Sequence, residues 1–337
     1  MTSLKALQRR AREARHWLMD VCFPLWAETG VNRSGVFIDA LHLNHRAPDD
    51  IVSASVVTQA RQTSLFAIAF GQGWQPDKSL ELCRAGLECL TGPALRGDGR
   101  PGARIDASGE GLIDTSTSAE TSFELLRTHA RILANLPELA DRAEAGSVAL
   151  RAALSQGAMD AGEAAPASDM PTELAWAEAW PERYDRARLR EAVGRLPEAL
   201  AQAPAWRVFE IIDWLWRTAR LGEDVAGEQL SEAYLRALAD MDDTGRLSHG
   251  EDREHHARDQ ALALRAHLAM MESRLCPGAD LSAALAFDTL MDENLTFEGG
   301  WIARHGADGL PLDQDMPAGL GLDIAGAFLR LIEGVEA

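Results

Sequence analysis

Helical spacing of apolar residues runs through almost the whole chain and constrains its fold more than any other feature. Alanine and leucine recur with a period near 3.6 in about eleven segments. These lie near residues 4–20, 53–72, 77–91, 118–136, 143–156, 183–202, 204–221, 226–241, 254–274, 280–294 and 318–334. Short connections rich in Gly, Pro and Asp separate them, such as "TGPALRGDGRPG", "LGED", "MDDTG" and "CPGAD". Two stretches break the pattern. Residues 34–50 read as a short strand leading to a turn, and 298–315 as a strand, a turn at Asp308-Gly309 and a second strand. Both are expected to be small β-hairpins in loops between helices. Residues 155–173 are poor in large apolar side chains and read as a long exposed loop. No boundary between independent domains is visible, so the expectation is one all-α domain over 1–337. A weak helix-pair periodicity without a strict sequence repeat fits a toroid of alternating inner and outer helices.

Composition excludes some partners. A formal net charge of -19 would repel a phosphate backbone, so no nucleic acid is expected. No apolar run approaches the roughly 18 residues needed to span a bilayer, so no membrane association is expected. Cys22, Cys83, Cys89 and Cys276 lack CxxC spacing and have apolar neighbours. They read as buried thiols of a reducing compartment. The basic start, "MTSLKALQRRAREARHWLMD", carries Leu4, Leu7, Ala11, Ala14, Trp17 and Leu18 as a helical stripe. It reads as a first helix with a solvated basic face rather than a targeting peptide, with the cytoplasm as the expected location.

Few motifs carry chemistry. Gly71-Gln72-Gly73 follows a helix and lacks a third glycine, so it reads as a helix cap rather than a phosphate loop. "HLNH" (His42, His45) and "SHGEDREHHARDQ" (His249, His255, His256 among acids) have the residue types of metal ligands without convincing spacing. They read as polar turns, and no metal or cofactor is expected. His305 reads as a surface residue before a turn, and His129 and His267 as structural helix residues. Nine Trp stand against two Tyr. Trp176, Trp180, Trp206, Trp214 and Trp216 either pack helices or stack on sugar rings. Arg61 is the sharpest candidate. It shares a helix face with Val57, Ala60, Ser64, Leu65 and Ile68. A guanidinium on an apolar face needs an anionic or hydroxyl-rich partner: either a ligand, or another helix through Glu210 or Asp213.

Several stretches together resemble one family. "GVFIDALHLNHRAPDD" followed by "SVVTQARQTSLFAIAFGQGW" resembles the N-terminal signature of the N-acylglucosamine 2-epimerase and mannose isomerase family, with Gly35, Phe37, Asp39, Leu41, Gln59, Ala60, Arg61, Gln62, Phe66, Ala67, Gly73 and Trp74 fitting it. "GGWIARHGADGLPLDQDMPAGLGLDIAGAF" resembles its closing hairpin and helix start. "GEGLIDTSTSAETSFELLRTHA" resembles a further helix, with Phe123 retained. The resemblance covers most of the chain and is strongest at the two ends. It implies an (α/α)6-type barrel of inner and outer helices. It also implies proton transfer next to the carbonyl of a mannose- or glucosamine-type sugar, through an enediol, with histidines as bases and Arg61 on the developing oxyanion.

Departures from the family pattern fall on the chemistry. "APAWRVFEIIDWL" matches at Phe209 and Glu210 but aligns Arg207 with a catalytic histidine. "RDQALALRAH" keeps Gln260 and has Leu262 in place of an acid. The closing motif has Asp323 where a histidine is expected. A histidine-bearing helix is not found near the polar segment before "AWAEAWPERYD", so one helical hairpin is expected to be missing or altered. The resemblance therefore points to Arg61, Glu210 and Asp323 as candidate catalytic residues, with Asp323 as a base in a desolvated pocket and Glu210 as the acid. Asp39, Gln59, Trp206, Arg207 and Gln260 are the candidate sugar-binding residues. Two functions follow: an aldose-ketose isomerase or 2-epimerase, or an inactive barrel that binds a sugar or a protein partner. A monomer or homodimer is expected.

Overall fold

The structure, a computed structural model, describes residues 2–160, 170–179, 184, 186–194, 196, 200, 203–223, 227–249 and 253–336. In chain order its helices are α1 (Thr2–His16), α2 (Phe23–Glu28), α3 (Val56–Gly71), α4 (Pro76–Leu90), α5 (Ala119–Asn135), α6 (Ala140–Asp160) and α7 (Met170–Ala179). There follow α8 (Arg186–Gly194), α9 (Ala205–Arg220), α10 (Gly227–Leu238), α11 (Ala257–Ser273), α12 (Ala279–Thr289) and α13 (Leu320–Glu336). Two π-helical turns, Trp17–Cys22 and Leu290–Asn294, extend α1 and α12. The strands are short: β1 (Ala40–His42), β2 (Ser53–Ser55), β3 (Arg104–Asp106), β4 (Leu112–Asp114), β5 (Ser248–His249), β6 (Glu254–His256), β7 (Arg304–His305) and β8 (Asp315–Pro317). The chain packs as two compact units, one of residues 1–25, 42–45 and 193–337, the other of residues 26–41 and 46–192.

In the unit of 26–41 and 46–192, α3 packs on α4 and α5, and α5 packs on α6 and α7. The Ser55 and Ser118 side chains cap α3 and α5 by accepting the Val57 and Thr121 N–H groups. Gly73, at φ +77, closes α3 with its N–H on the Phe70 carbonyl, as the Gly71-Gln72-Gly73 sequence predicts. Strands β2, β3 and β4 form an antiparallel sheet in which Ala54 pairs with Ile105. Val36, Val56, Ala60, Leu90, Ile105 and Leu125 meet beneath it in one apolar cluster.

In the other unit, α1 packs on α12 and α13 through Leu7, Ala11 and Ala14, which are buried at helical spacing. Helix α11 packs on α9, α12 and α13, and α10 on α9. Strands β5, β6 and β7 form a second antiparallel sheet, with His255 opposite His305. Trp17 meets Phe328 edge to face, with ring centroids 5.6 Å apart.

One turn recurs five times, twice in the unit of 26–41 and 46–192 and three times in the other. Val31 bridges Phe37, Leu95 bridges Pro101, Met241 bridges Leu247, Leu295 bridges Trp301 and His305 bridges Pro311. Within each, the second residue donates its N–H to the carbonyl of the sixth: Asn32 to Val36, Arg96 to Arg100, Asp242 to Arg246, Thr296 to Gly300 and Gly306 to Leu310. The fifth residue is always a glycine with positive φ, at positions 35, 99, 245, 299 and 309. The polar second residue often reinforces the turn: Asn32 Oδ1 accepts from Ser34 and Val36, and Asp242 Oδ1 from Thr244 and Arg246. The repeat is structural. Its sequence trace is a single glycine, which explains why no strict repeat is legible.

Several expectations change. Residues 155–160 close α6 and 170–173 open α7, with Met170, Thr172 and Glu173 buried. The predicted loop over 155–173 is therefore helical at both ends, and 161–169 lie outside the described residues. Helices α7 and α8 occupy the region where a hairpin is expected to be missing or altered. Helix α7 shows no amphipathic pattern because it is buried nearly all round, from Met170 to Ala177. His305 is buried, not on the surface, 3.4 Å from Asn294.

The turn glycines differ in what surrounds them. A Cβ on Gly299 (φ +93) would lie 2.6 Å from the Val21 carbonyl oxygen, whereas one on Gly309 (φ +78) meets nothing within 4 Å. Gly309→Ala should cost about 1 kcal/mol from backbone strain alone, and Gly299→Ala at least about 2 kcal/mol. Urea unfolding midpoints of the two variants check this; equal shifts would refute it.

Candidate functional site

Three helices of one unit, α9, α11 and α13, carry charged residues on the faces where they meet. Helix α9 presents Glu210, Asp213 and Arg217; α11 presents Arg258, Arg265 and Glu272, each seven residues from the next; α13 presents Asp323 and Arg330, also seven apart. Seven residues make two helical turns, so such residues lie nearly above one another. The result is a ladder of ion pairs in three layers.

In the first layer Arg258 Nη2 donates to Glu210 Oε1 at 3.1 Å, and its Nε lies 3.8 Å from Asp323 Oδ2. Arg207 donates to the other oxygen of Glu210, and its guanidinium lies over the Trp214 ring, 4.7 Å from the centroid. In the second layer the fully buried Asp213 accepts from Arg265, with Arg217 Nη1 at 3.7 Å. In the third, Arg330 Nη1 lies 2.7 Å from Glu272 and stacks on Trp216 with its guanidinium carbon 3.4 Å from the ring centroid. The layers differ in access to solvent. The side chains of Arg258, Asp323 and Glu210 are 47%, 17% and 10% exposed, against 1% for Asp213. The first layer opens to solvent through Arg258, whereas the carboxylate of the second is closed off from it.

Arg61 belongs to the other unit and to a different cluster. Its Nη1 lies 3.5 Å from Oε2 of Glu124, a buried carboxylate of α5 that also accepts from Arg127 at 2.8 Å and Arg131 at 3.3 Å. Arg131 further donates to Ser64, whose hydroxyl donates to Thr128. Burial pushes the Glu124 carboxyl up, but Arg127, Arg61 and Arg131 outweigh it and hold it at about 2. The partners weighed for Arg61 from the sequence, Glu210 and Asp213, are themselves held by arginines of α9 and α11.

The remaining candidates divide. Asp39 accepts the Ser55 N–H at 2.8 Å and pairs with Arg104 at 2.8 Å, so it ties the start of α3 to the β2–β3 sheet. The buried Gln59 amide accepts from the Phe37 N–H and donates to the Phe37 carbonyl. Buried Gln260 donates to the Gly245 and Ala286 carbonyls. Both are candidate sugar-binding residues, and both amides bond to turn backbone. Arg207 joins the Glu210 layer, and Trp206, one turn before Glu210, borders a cleft at the start of α9. Asp323, the candidate base, is largely buried and lies 3.8 Å from the Arg258 guanidinium.

His267 and His129 are buried, and burial lowers them to about 3 and about 4. His267 is bonded to Tyr234 at 2.8 Å and His129 to the Leu125 carbonyl at 2.7 Å, in keeping with structural roles. His42 pairs with Asp315 at 2.6 Å, and His256 with Glu254 at 3.0 Å. Residues 250–252 of the second histidine-rich stretch, and Trp180, lie outside the described residues. Among the described residues, no group of three or more His, Cys, Asp or Glu side chains is placed to hold a metal. Sequence reasoning did not single out Glu124, Arg127, Arg131, Arg258 or Arg265. Their signal was spacing: 124, 127 and 131, like 258 and 265, share one helix face.

No family model matches the chain, and no curated protein matches it by sequence. Solved structures do match. The cellobiose 2-epimerase of Bacillus thermoamylovorans B4167 matches at a TM-score of 0.77 and 13% identity, over 96% of this chain and 98% of that one. The cellobiose 2-epimerase of Spirochaeta thermophila DSM 6192 matches at 0.78 and 16%, over 98% and 97%. A D-mannose isomerase matches at 0.79 and 12%, over 97% of each chain. The chain thus has the all-α fold of (α/α)6-barrel type that these sugar epimerases and isomerases share. Among the described residues, no helix is long and apolar enough to cross a membrane.

Two measurements test the ion clusters. Arg265→Met leaves buried Asp213 without its nearer cation and should cost roughly 3–5 kcal/mol in urea unfolding; a loss below about 1 kcal/mol would refute the ladder. Glu124 is held below its unfolded value, so its contribution is complete above about pH 4.5 and is lost as pH falls toward about 2. Glu124→Gln should therefore flatten the pH dependence of unfolding free energy across that window; an unchanged slope would contradict the assignment.

Proposed function

We propose that this protein is a sugar isomerase- or epimerase-like barrel that binds a neutral or amino sugar at the Glu210 layer and does not isomerise it through a histidine pair. The observation that carries this reading is the shared ion pairing of Glu210 and Asp323 by Arg258, at the solvent-accessible end of the ladder. Carboxylates accept hydrogen bonds from sugar hydroxyls and guanidiniums donate to them, so the layer offers both halves of what a polyol needs. Two carboxylates, Glu210 and Asp323, stand against two guanidiniums, Arg207 and Arg258. These four groups carry no net charge, which favours an uncharged ring of mannose or glucosamine type over a phosphorylated one.

Isomerisation needs groups that take up and release a proton near the working pH. Arg207 stands at the position that the resemblance gives to a catalytic histidine, and a guanidinium stays charged there. That argues for binding. A second reading rests on the 3.8 Å between Asp323 and Arg258. Asp323 would remove the proton at C2, and Arg258 would hold the enediolate oxygen, the role that the resemblance gives to Arg61. The proton would return to C1 for isomerisation or to the other face of C2 for epimerisation.

NMR in deuterated water with mannose, glucose, fructose, N-acetylglucosamine, cellobiose and the hexose 6-phosphates distinguishes the readings. The expected result is saturation transfer to an unphosphorylated sugar with no deuterium at C2, and affinity reduced at least about tenfold by Glu210→Gln. Deuterium entry at C2 that Asp323→Asn abolishes would replace the binding reading with the isomerase reading. Absence of binding to every sugar would defeat both.

A further inference from the structure

The third layer of the ladder differs from the other two in how its arginine is satisfied. Arg330 is 7% exposed, and its Nη1 lies 2.7 Å from Glu272. Its Nε and Nη2 are buried without a hydrogen-bond partner. These two groups form one edge of the guanidinium, the fork that grips an oxyanion through two parallel N–H groups. Three other arginines of the same unit show what that edge takes. Arg10, Arg246 and Arg304 each use Nε and Nη2 to hold both oxygens of one carboxylate, those of Asp288, Glu293 and Asp313. A buried donor left unpaired is costly and rare, and here two stand side by side.

Charge and access point the same way. Two guanidiniums lie against the Trp216 ring, with the carbons of Arg330 and Arg220 3.4 Å and 4.9 Å from its centroid. Among the described residues Arg220 enters no ion pair, so the layer sets two cations against the one charge of Glu272. Arg220 is exposed and Trp216 half-buried, and the layer reaches solvent through them. Nε and Nη2 of Arg330 are closed to water in this conformation. Admission of a ligand therefore requires a rotamer change, which an exposed side chain such as Arg220 makes freely.

We propose that the third layer binds a small oxyanion, a phosphate, sulfate or carboxylate, gripped by the Nε–Nη2 edge of Arg330 and steadied by Arg220. A single negative charge there brings Arg220, Arg330 and Glu272 to balance. Arg258 and Glu272 stand fourteen residues apart on α11, which sets this site about 21 Å along the helix axis from the Glu210 layer. It is thus independent of the reading of that layer as a sugar site.

Titration calorimetry of the whole chain tests it with sodium phosphate, sulfate, acetate and succinate, against sodium chloride at matched ionic strength. The expected result is saturable binding of at least one oxyanion with a Kd of about 1 mM or tighter, and none of chloride. Arg330→Lys, which keeps the charge and removes the fork, should weaken that binding at least about tenfold, and Arg220→Gln, on the exposed side, several-fold. Saturation by phosphate and sulfate alone assigns a tetrahedral ligand, and saturation by the carboxylates alone a planar one. In the wild-type chain the Arg330 Nε–H resonance should shift along the same titration, which decides the matter if Arg330→Lys unfolds. Absence of saturable binding by every oxyanion, binding that both variants leave unchanged, or an unmoved Arg330 resonance overturns the site.

Discussion

The pairing of buried Asp213 with Arg265 is the contact on which one unit turns. A carboxylate with no exposure to water is tolerable only beside a cation, because removing its hydration costs several kcal/mol. That requirement sets the register of α9 against α11. Register in turn places the residues one layer away. Arg258, seven residues before Arg265, is carried to Glu210, and Asp323, seven before Arg330, is carried to Arg258. The buried layer thus determines the geometry of the accessible one. A shift of a single residue along α11 would turn all three partners off the shared face.

Both units bring acid and arginine together, with different consequences. Around Glu124 three guanidiniums converge on one carboxylate that burial alone would neutralise, and the cations prevail. Around Glu210 and Asp323 the charges are matched two against two, and the group remains open to water. The first arrangement stiffens the α3–α5 pairing through Arg61, Ser64 and Thr128. The second leaves donors and acceptors within reach of a polyol. This difference in exposure, rather than any difference in residue type, separates a structural cluster from a candidate binding site.

The fold rests on a local device repeated at five places. A bridged turn with a positive-φ glycine at its fifth position precedes the entry into α3, α5 and α11, and two copies precede α13. Buried Gln59 and Gln260 bond to two of these turns from the fourth residue of α3 and of α11. Such a module asks little of the sequence beyond a glycine and a polar residue. This accounts for a fold shared over nearly the whole chain with epimerases and isomerases at only 12–16% identity.

What the sequence determined by itself is local. The sequence pattern placed most helices, the cap at Gly73 and the turn at Asp308-Gly309, although the strands on either side of that turn pair in separate sheets rather than as a hairpin, and it set Arg61 on an apolar face that requires an anionic or hydroxyl-rich partner. Helix α7 escaped because burial on every side removes the periodic signal, and His305 because its burial comes from residues outside its own strand. Only the tertiary structure decided which carboxylate each arginine meets. Arg61 and Glu124 lie 63 residues apart, and Arg258 and Glu210 lie 48 apart. Spacing shows which charges share a helix face, but the partner across the interface depends on how the helices are set against one another. The same reason explains Gln59 and Gln260, which were legible as polar residues in apolar helices. That they hold turn backbone became visible only once those turns had folded against them.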